Sequence, residues 1–390
     1  MAKKNRGHGE GSIYQRSNGS WRAQVYVDGK RHGKTLKKKA DAQTWLRKMQ
    51  NQLVLGHDIE GSKITLADYL TQWLETSIID LRSSTKYQYG LTIKNHILPY
   101  IGEIRLKDLN LARIERHYAE LGNTGLSSRT IKLVHAVLHK AFKKAVKYGL
   151  ILKNPASGAA LPRYKQSEMQ VLDPSQLTQF LIAAQGSYYE ALYHLAIHTG
   201  MRQGELFGLK WTDLRWQSGV LHVQRQASRV PGRKWEFLEP KTSAGRRTIT
   251  MGEGILQVMR HHKAKLPMQK ALAGDRWEEH DLIFPNRVGN PGDPSNLRKD
   301  FLAVLEQSGL PIIRFHDLRH TAASLMLNNG IPPIVVSKRL GHARPSTTLD
   351  IYGHLYQEKD EEAARIMDEL VTPIRVDIVG IEQNQVMVKE

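Results

Sequence analysis

Two linker-like stretches, residues 57–64 and 154–169, divide this chain into segments whose apolar residues repeat with different periods. That division constrains the fold more than any other feature, because one continuous sheet or bundle cannot satisfy a period that changes along the chain. Before the first stretch, Trp21, Ala23, Val25 and Val27 alternate with Arg22, Gln24 and Tyr26, the period of a half-buried strand. Asp28-Gly29 signals a hairpin turn, and Thr35 to Lys39 continues as a second basic strand or its exit. Ala42, Trp45, Leu46, Met49 and Leu53 then follow at helical spacing, with Gly56 past the end. The pattern predicts a small sheet packed on one helix over 1–56.

Residues 65–155 read as helices throughout. Thr65 can cap a helix bearing Leu66, Tyr69, Leu70, Trp73 and Leu74. Ser84 can cap the next, with Tyr87, Leu91 and Ile97 before Pro99. Ile114, Tyr118 and Leu121 suggest a short third helix. Ser127 opens a long fourth one bearing Ile131, Val134, Leu138, Phe142 and Val146, with Gly149 beyond its end. From about 170 the pattern is mixed: helices at 174–185, 188–199 and 204–209, strands at Val220–Gln226, Trp235–Glu239 and Arg246–Met251, then mostly helices from 254 to 371. Pro332-Pro333 marks one helix start, and 358–370 is acidic and amphipathic. Ile374, Val376 and Ile378 alternate in a tail, 373–390, that either completes the core or docks on a neighbouring subunit. The predicted fold class is multidomain α+β: a small sheet-plus-helix domain, an all-α domain, and a mainly α domain of 170–372 with a small antiparallel sheet.

The charge is lopsided. The 390 residues carry a net +19, and residues 1–50 hold 13 Lys/Arg against 3 Asp/Glu, a net +10. A run of cations is usually a solvated face, but an excess of this size also suits a polyanionic partner. On the first segment the candidates for DNA contact are Arg22, Lys30, Arg31, Lys37 and Lys38. On the long helix they are Arg129, Lys132, Lys140, Lys143 and Lys144, and Arg163 and Lys165 in the second linker can reach a backbone. With no cysteine, disulfides, thiolate catalysis and cysteine-ligated metal sites are excluded. No leader-like segment or apolar run long enough to cross a bilayer is visible, so a cytoplasmic location is expected. Gly33-Lys34-Thr35 mimics a P-loop, but the glycine required five residues earlier is Asp28.

Six residues of the last segment suit one kind of chemistry. They are Arg202, Lys241, His316, Arg319, His342 and Tyr352. When a phosphodiester passes to a tyrosine, negative charge spreads over the non-bridging oxygens, and fixed cationic donors there lower the barrier. Arginine forks grip phosphate in two places and stay charged, which fits Arg202 and Arg319. A leaving 5′ oxygen needs a proton, and Lys241, before the turn-rich Thr242-Ser243-Ala244-Gly245 between two strand patterns, can supply it. Tyr352 supplies a nucleophilic oxygen, and a covalent intermediate conserves the bond energy, so no cofactor is expected. His316, His320, His342 and His354 have no carboxylate or cysteine at zinc-like spacing, so no metal site is expected.

These motifs closely resemble the tyrosine recombinase, or phage integrase, family, whose pattern is Arg, Lys, His-x-x-Arg, His or Trp, then Tyr. Every position is filled in order, and the flanks match in Thr199-Gly200-Met201-Arg202 with Glu205, in Leu318-Arg319-His320-Thr321, and in Leu340-Gly341-His342 with Ser346-Thr347-Thr348. The resemblance implies site-specific cutting and rejoining of double-stranded DNA through a 3′-phosphotyrosine on Tyr352, integrating or excising a mobile element. Arg202, Arg319 and His342 would stabilise the transition state, Lys241 would be the general acid, and His316 would assist proton transfer near Tyr352. Glu205 would steady a neighbouring basic residue, while His320 could be structural. The resemblance also implies an arm-type DNA-binding domain at 1–56, a core-binding domain at 65–155, and a homotetramer on DNA, with possible accessory bending or directionality factors. The competing readings are a type IB topoisomerase and a catalytically inactive DNA-binding regulator.

Overall fold

The computed structural model describes residues 11–27, 30–54, 64–76, 81–163, 170–240, 242–352 and 360–371. The Asp28-Gly29 turn, Gly56, most of the first linker, Lys165, Lys241, His354 and the 373–390 tail lie outside the described residues. The chain forms two compact units, 1–167 and 168–390.

The first unit opens with an antiparallel sheet of β1 (Gly11–Gln15), β2 (Trp21–Val27) and β3 (Lys30–Leu36) in that order, followed by α1 (Lys39–Val54). Ala23, Val25 and Ala42 are fully buried, as the alternation requires. A Cβ at Gly11 would lie 2.3 Å from the Leu46 side chain, so this glycine lets the strand close on α1. The register pairs Tyr14 with Arg22, Arg22 with Thr35, and Tyr26 with Arg31. The face turned away from Ala23 and Val25 is therefore a mixed basic and aromatic surface.

The rest of this unit is helical: α2 (Leu66–Thr76), α3 (Ser83–Thr92), α4 (Leu98–Ile101), α5 (Leu111–Asn123) and α6 (Ser128–Lys147). Thr65 caps α2, its Oγ1 accepting from Asp68 N at 3.1 Å, and Ser127 caps α6, its Oγ accepting from Thr130 N at 3.2 Å. α3 starts at Ser83 after Arg82, earlier than the Ser84 cap predicts. Pro99 does not stop the chain turning either. A π-turn over Ile93–Ile97, with Leu98 N donating to Ile93 O, carries the helix into α4 past the missing proline donor. Along α6, Ile131, Val134, Leu138 and Phe142 enter the core with Leu70, Trp73 and Ile114. Arg129, Lys132, Lys140 and Lys143 form the exposed stripe opposite.

The second unit contains α7 (Pro174–Ala183), α8 (Glu190–Thr199), α9 (Gln203–Phe207), β4 (Leu214–Arg215), β5 (Val220–Val223), β6 (Gln226–Ser228), β7 (Glu236–Leu238) and β8 (Arg247–Thr250). It continues with α10 (Glu253–Ala273), α11 (Pro294–Gln307), α12 (Asp317–Asn328), α13 (Pro333–Leu340), α14 (Ser346–Tyr352) and α15 (Asp360–Leu370). The predicted strand Val220–Gln226 breaks in two. Gln224 and Arg225 turn their side chains to the buried Asp213 carboxylate, and the chain changes sheets there. β4, β5 and β8 form one antiparallel sheet, with Leu214, Leu221 and Ile249 buried in register, whereas β6 pairs with β7. The two strand patterns flanking Lys241 thus belong to different sheets and do not form a hairpin with each other. A large core runs from Leu172 to Leu318, and a smaller one joins Ala323, Leu327, Val336, Leu340 and Tyr352.

Candidate active site

Two left-handed glycines organise the site. α8 ends at Thr199, and Gly200 takes φ +62°, where a Cβ would lie 2.4 Å from Leu340. Gly341 ends α13 with φ +72°, where a Cβ would meet Ala244 O at 2.9 Å. Each turn frees a carbonyl for an arginine on the opposite strap of chain. Arg319 Nη1 donates to Gly200 O at 2.7 Å, and Arg202 Nη2 to Gly341 O at 3.4 Å. The residues beside these glycines, Arg202 and His342, are thereby tied to α12 and to each other's loops.

Glu205 is the anionic counterweight. Its side chain is 3% exposed, and it accepts from Arg202 N (3.0 Å), Arg202 Nη1 (2.9 Å) and Arg247 Nη2 (2.9 Å). Burial by itself pushes this carboxyl up, but the Arg247 hydrogen bond and charge, then those of Arg202, hold it net below the ordinary range. Arg247, 5% exposed, also donates to Arg339 O at 2.7 Å and Gly245 O at 3.2 Å. One guanidinium on β8 therefore braces α9, the end of α13 and the turn that follows Lys241.

Arg319 is 4% exposed, and its Nη2 has no hydrogen-bond partner among the described residues. Burial first, then the nearby Arg202 charge, press it down to about 9, so it remains a cation at neutral pH. His342 Nδ1 is 2.8 Å from Thr348 Oγ1, which orients the ring. His316, beside Arg319 at the start of α12, and His342 are both pushed down to about 4. Burial is the main cause for each. His320 and Arg319 add to it at His316, and Arg319 and Arg202 at His342. Both rings are neutral at pH 7.

Tyr352, at the end of α14, is 2% exposed. Burial raises its hydroxyl above the usual phenol range, and Arg319 partly opposes this. Its partner departs from expectation: the hydroxyl lies 2.6 Å from Nδ1 of His320, not against His316. The His316 ring instead packs edge-on to His320, with centroids 5.2 Å apart. The reason is helical geometry, since positions 316 and 320 are four apart and share one face of α12. Five of the six predicted residues thus meet within one unit, and Lys241 lies outside the described residues. Arg247 was missed because nothing in the sequence distinguishes it from Arg246 beside it.

Two family models match the chain: "Phage integrase family" over residues 170–359 and "Phage integrase, N-terminal SAM-like domain" over 65–121. Together they span more than half of it. The chain belongs to the phage integrase family of tyrosine recombinases. It is a DNA-cutting and rejoining enzyme of site-specific recombination. Over 378 residues this recombinase is 29% identical to a "Tyrosine recombinase XerC-like" protein of Caldanaerobacter subterraneus subsp. tengcongensis, covering 90% of this chain and 96% of the relative. Its fold matches the Tn1549 transposon integrase, solved in complex with a circular intermediate DNA, at a TM-score of 0.67 and 21% identity, covering 78% of this chain and 99% of the other. It also matches lambda integrase, solved as a tetramer bound to a Holliday junction, at 0.56 and 20% identity, covering 85% and 96%.

The predicted DNA-contact residues belong to the first unit. Arg22 sits on the polar sheet face, with Nη1 3.3 Å from Thr35 Oγ1. Lys30 pairs in register with Val27, Arg31 is exposed on β3, and Lys37 and Lys38 are exposed just beyond it. On α6, Lys140 lies over the Tyr89 ring and Lys144 over Tyr148, while Arg129, Lys132 and Lys143 are exposed. No helix of the described residues is long and apolar enough to cross a membrane.

Proposed function

We propose that Tyr352 is the nucleophile of this recombinase and forms a 3′-phosphotyrosine while a 5′ hydroxyl departs. The single observation that carries this reading is the buried Tyr352 hydroxyl held beside Arg319 in a pocket of neutral imidazoles. Arg319 and Arg202 receive the charge that develops on the phosphate oxygens, the first through its buried Nη2, which has no hydrogen-bond partner among the described residues. His342, oriented by Thr348, donates to the same phosphate. Glu205 steadies Arg202, Lys241 protonates the leaving 5′ oxygen, and His316 assists proton handling from one ring behind His320. The covalent ester keeps the energy of the broken bond, so rejoining requires no cofactor.

The exposed basic stripe of α6 and the basic sheet face suit duplex DNA, the stripe at the core site and the sheet at distant arm sites. Lambda integrase, whose fold this chain shares, is solved as a tetramer bound to a Holliday junction, which supports the same assembly here. Accessory bending or directionality factors belong to this reading only through the resemblance of the motifs. A cytoplasmic location follows from its DNA substrate. A core-site duplex nicked near the cleavage position tests the nucleophile. The wild type is expected to trap a covalent protein–DNA adduct and Tyr352→Phe none; equal trapping by both removes the assignment.

A further inference from the structure

We propose that His320 is the catalytic base that takes the Tyr352 proton, and the acid that returns it. This goes beyond the six-residue set and rests on the reading of Tyr352 as nucleophile. The geometry is direct: Nδ1 of His320 lies 2.6 Å from the Tyr352 hydroxyl, the only atom of that side chain able to attack phosphorus. A base must lie within hydrogen-bond reach of the proton it removes, and His320 meets that condition. The His316 ring instead packs edge-on to His320, with centroids 5.2 Å apart.

The need for a base is as clear as its position. Burial holds the phenol above its ordinary range, and Arg319 offsets this only in part, so Tyr352 does not ionise spontaneously near neutral pH. His320 faces charged and titratable groups on every side: Arg314, His316, Asp317 and Arg319 from its own segment, His342 beyond α13, and Tyr352 from α14. Burial is the largest influence on it and lowers it, Asp317 raises it, and Arg319 and Arg314 lower it again. The ring is therefore neutral at pH 7, and a neutral imidazole protonated at Nε2 presents a lone pair at Nδ1. Asp317, itself fixed by Arg314 through bonds of 2.7 and 3.0 Å, favours the imidazolium once it forms.

The step balances. As the Tyr352 oxygen bonds to phosphorus, its proton passes to Nδ1 of His320, and the bond from phosphorus to the 5′ oxygen breaks as that oxygen takes the proton that the proposed function assigns to Lys241. In rejoining, a 5′ hydroxyl attacks the phosphotyrosine and returns its proton to Lys241, and the departing phenolate recovers the proton from His320. The base is active when unprotonated, so its contribution is present above its depressed pKa and is lost as pH falls through it.

Single-turnover cleavage of the nicked core-site duplex, followed across pH, tests the idea, with Tyr352→Phe as the control on the nucleophile. His320→Ala and His320→Asn are each expected to slow cleavage about 100-fold and to abolish the acid limb of the pH profile. Asparagine keeps a hydrogen-bonding atom near the position of Nδ1 but cannot accept a proton. Both variants are expected to stay slow on a 5′-bridging phosphorothiolate, whose thiolate leaves without an acid. Recovery by His320→Asn to within about threefold of wild type would reduce His320 to an orienting contact and overturn the proposal. So would an acid limb that survives in both variants, or one lost only in His316→Ala. Adduct formation by Tyr352→Phe would instead remove the nucleophile assignment.

Discussion

Arg319 and Lys143 carry the same charge in opposite surroundings. Arg319 is 4% exposed, bonded to Gly200 O, and has its pKa depressed by burial and by Arg202. Lys143 stands exposed on the outward stripe of α6. Burying a cation costs several kcal/mol unless partners compensate, so the catalytic unit keeps one only where position matters more than stability. On α6, long-range attraction to a polyanion needs charge density and little positional accuracy. On the roles proposed above, the contrast separates transition-state stabilisation from binding, and substitutions in the two regions are expected to fail differently.

The largest effect is expected from Arg319→Lys. The change keeps the charge, but its single nitrogen cannot occupy both the Nη1 position at Gly200 O and the separate Nη2 position, because an ammonium lacks the planar fork. Cleavage within the bound complex is expected to fall about 100- to 1,000-fold, as when one oxyanion donor is lost, with DNA affinity nearly unchanged. Single-turnover rates measured beside band-shift titrations check this. An equal loss in both would erase the distinction between the regions.

Arg247→Met sharpens the comparison by acting one step removed from the phosphate. It leaves the buried Glu205 with Arg202 alone and releases Arg339 O and Gly245 O. Removing one partner of a buried ion pair costs about 3–5 kcal/mol, so the midpoint of urea unfolding is expected to drop clearly. Cleavage is expected to fall about 10-fold because Glu205, which holds Arg202, loses its second anchor. Adding Glu205→Gln to Arg247→Met is expected to restore part of the stability, since the buried carboxylate that only the part-exposed Arg202 would still neutralise is then removed.

What could be read in advance follows the same division. Helices with a clear apolar stripe and a side-chain cap, such as α6 behind Ser127, were legible because their signals are local. So were Arg202, Arg319, His342 and Tyr352 as candidates, whose spacing and flanking residues form recognisable boxes. The pairing of β8 with β5 was not, because strand partnership depends on Asp213 drawing Gln224 and Arg225 out of line. Nor was the contact of His320 with Tyr352, which joins residues 32 positions apart through the packing of α12, α13 and α14. Arg247 stayed hidden for a related reason: its role is defined by Glu205, Gly245 and Arg339, three partners that meet only in the folded unit.

The smallest effect per residue is expected on α6. Lys140 and Lys143 lie one turn apart on the exposed stripe. If each neutralises one backbone phosphate, replacing either with glutamine lowers the slope of log affinity against log salt by about 0.9, and replacing both by about twice that. Affinity is then expected to fall only a few-fold per lysine near physiological salt, roughly alike for matched and mismatched core sites, because phosphate contacts carry no direct sequence information. Cleavage of saturated complexes stays at the wild-type rate, the reverse of Arg319→Lys. Lys140 also sits 5.6 Å from the Tyr89 ring centroid, so removing it tests whether that ring helps to hold the cation toward DNA. If Tyr89→Leu leaves the slope intact and Lys140→Gln lowers it, the charge alone acts. If both variants keep the wild-type slope, this stripe does not face DNA, and the polyanion contact must be sought on the basic sheet face instead.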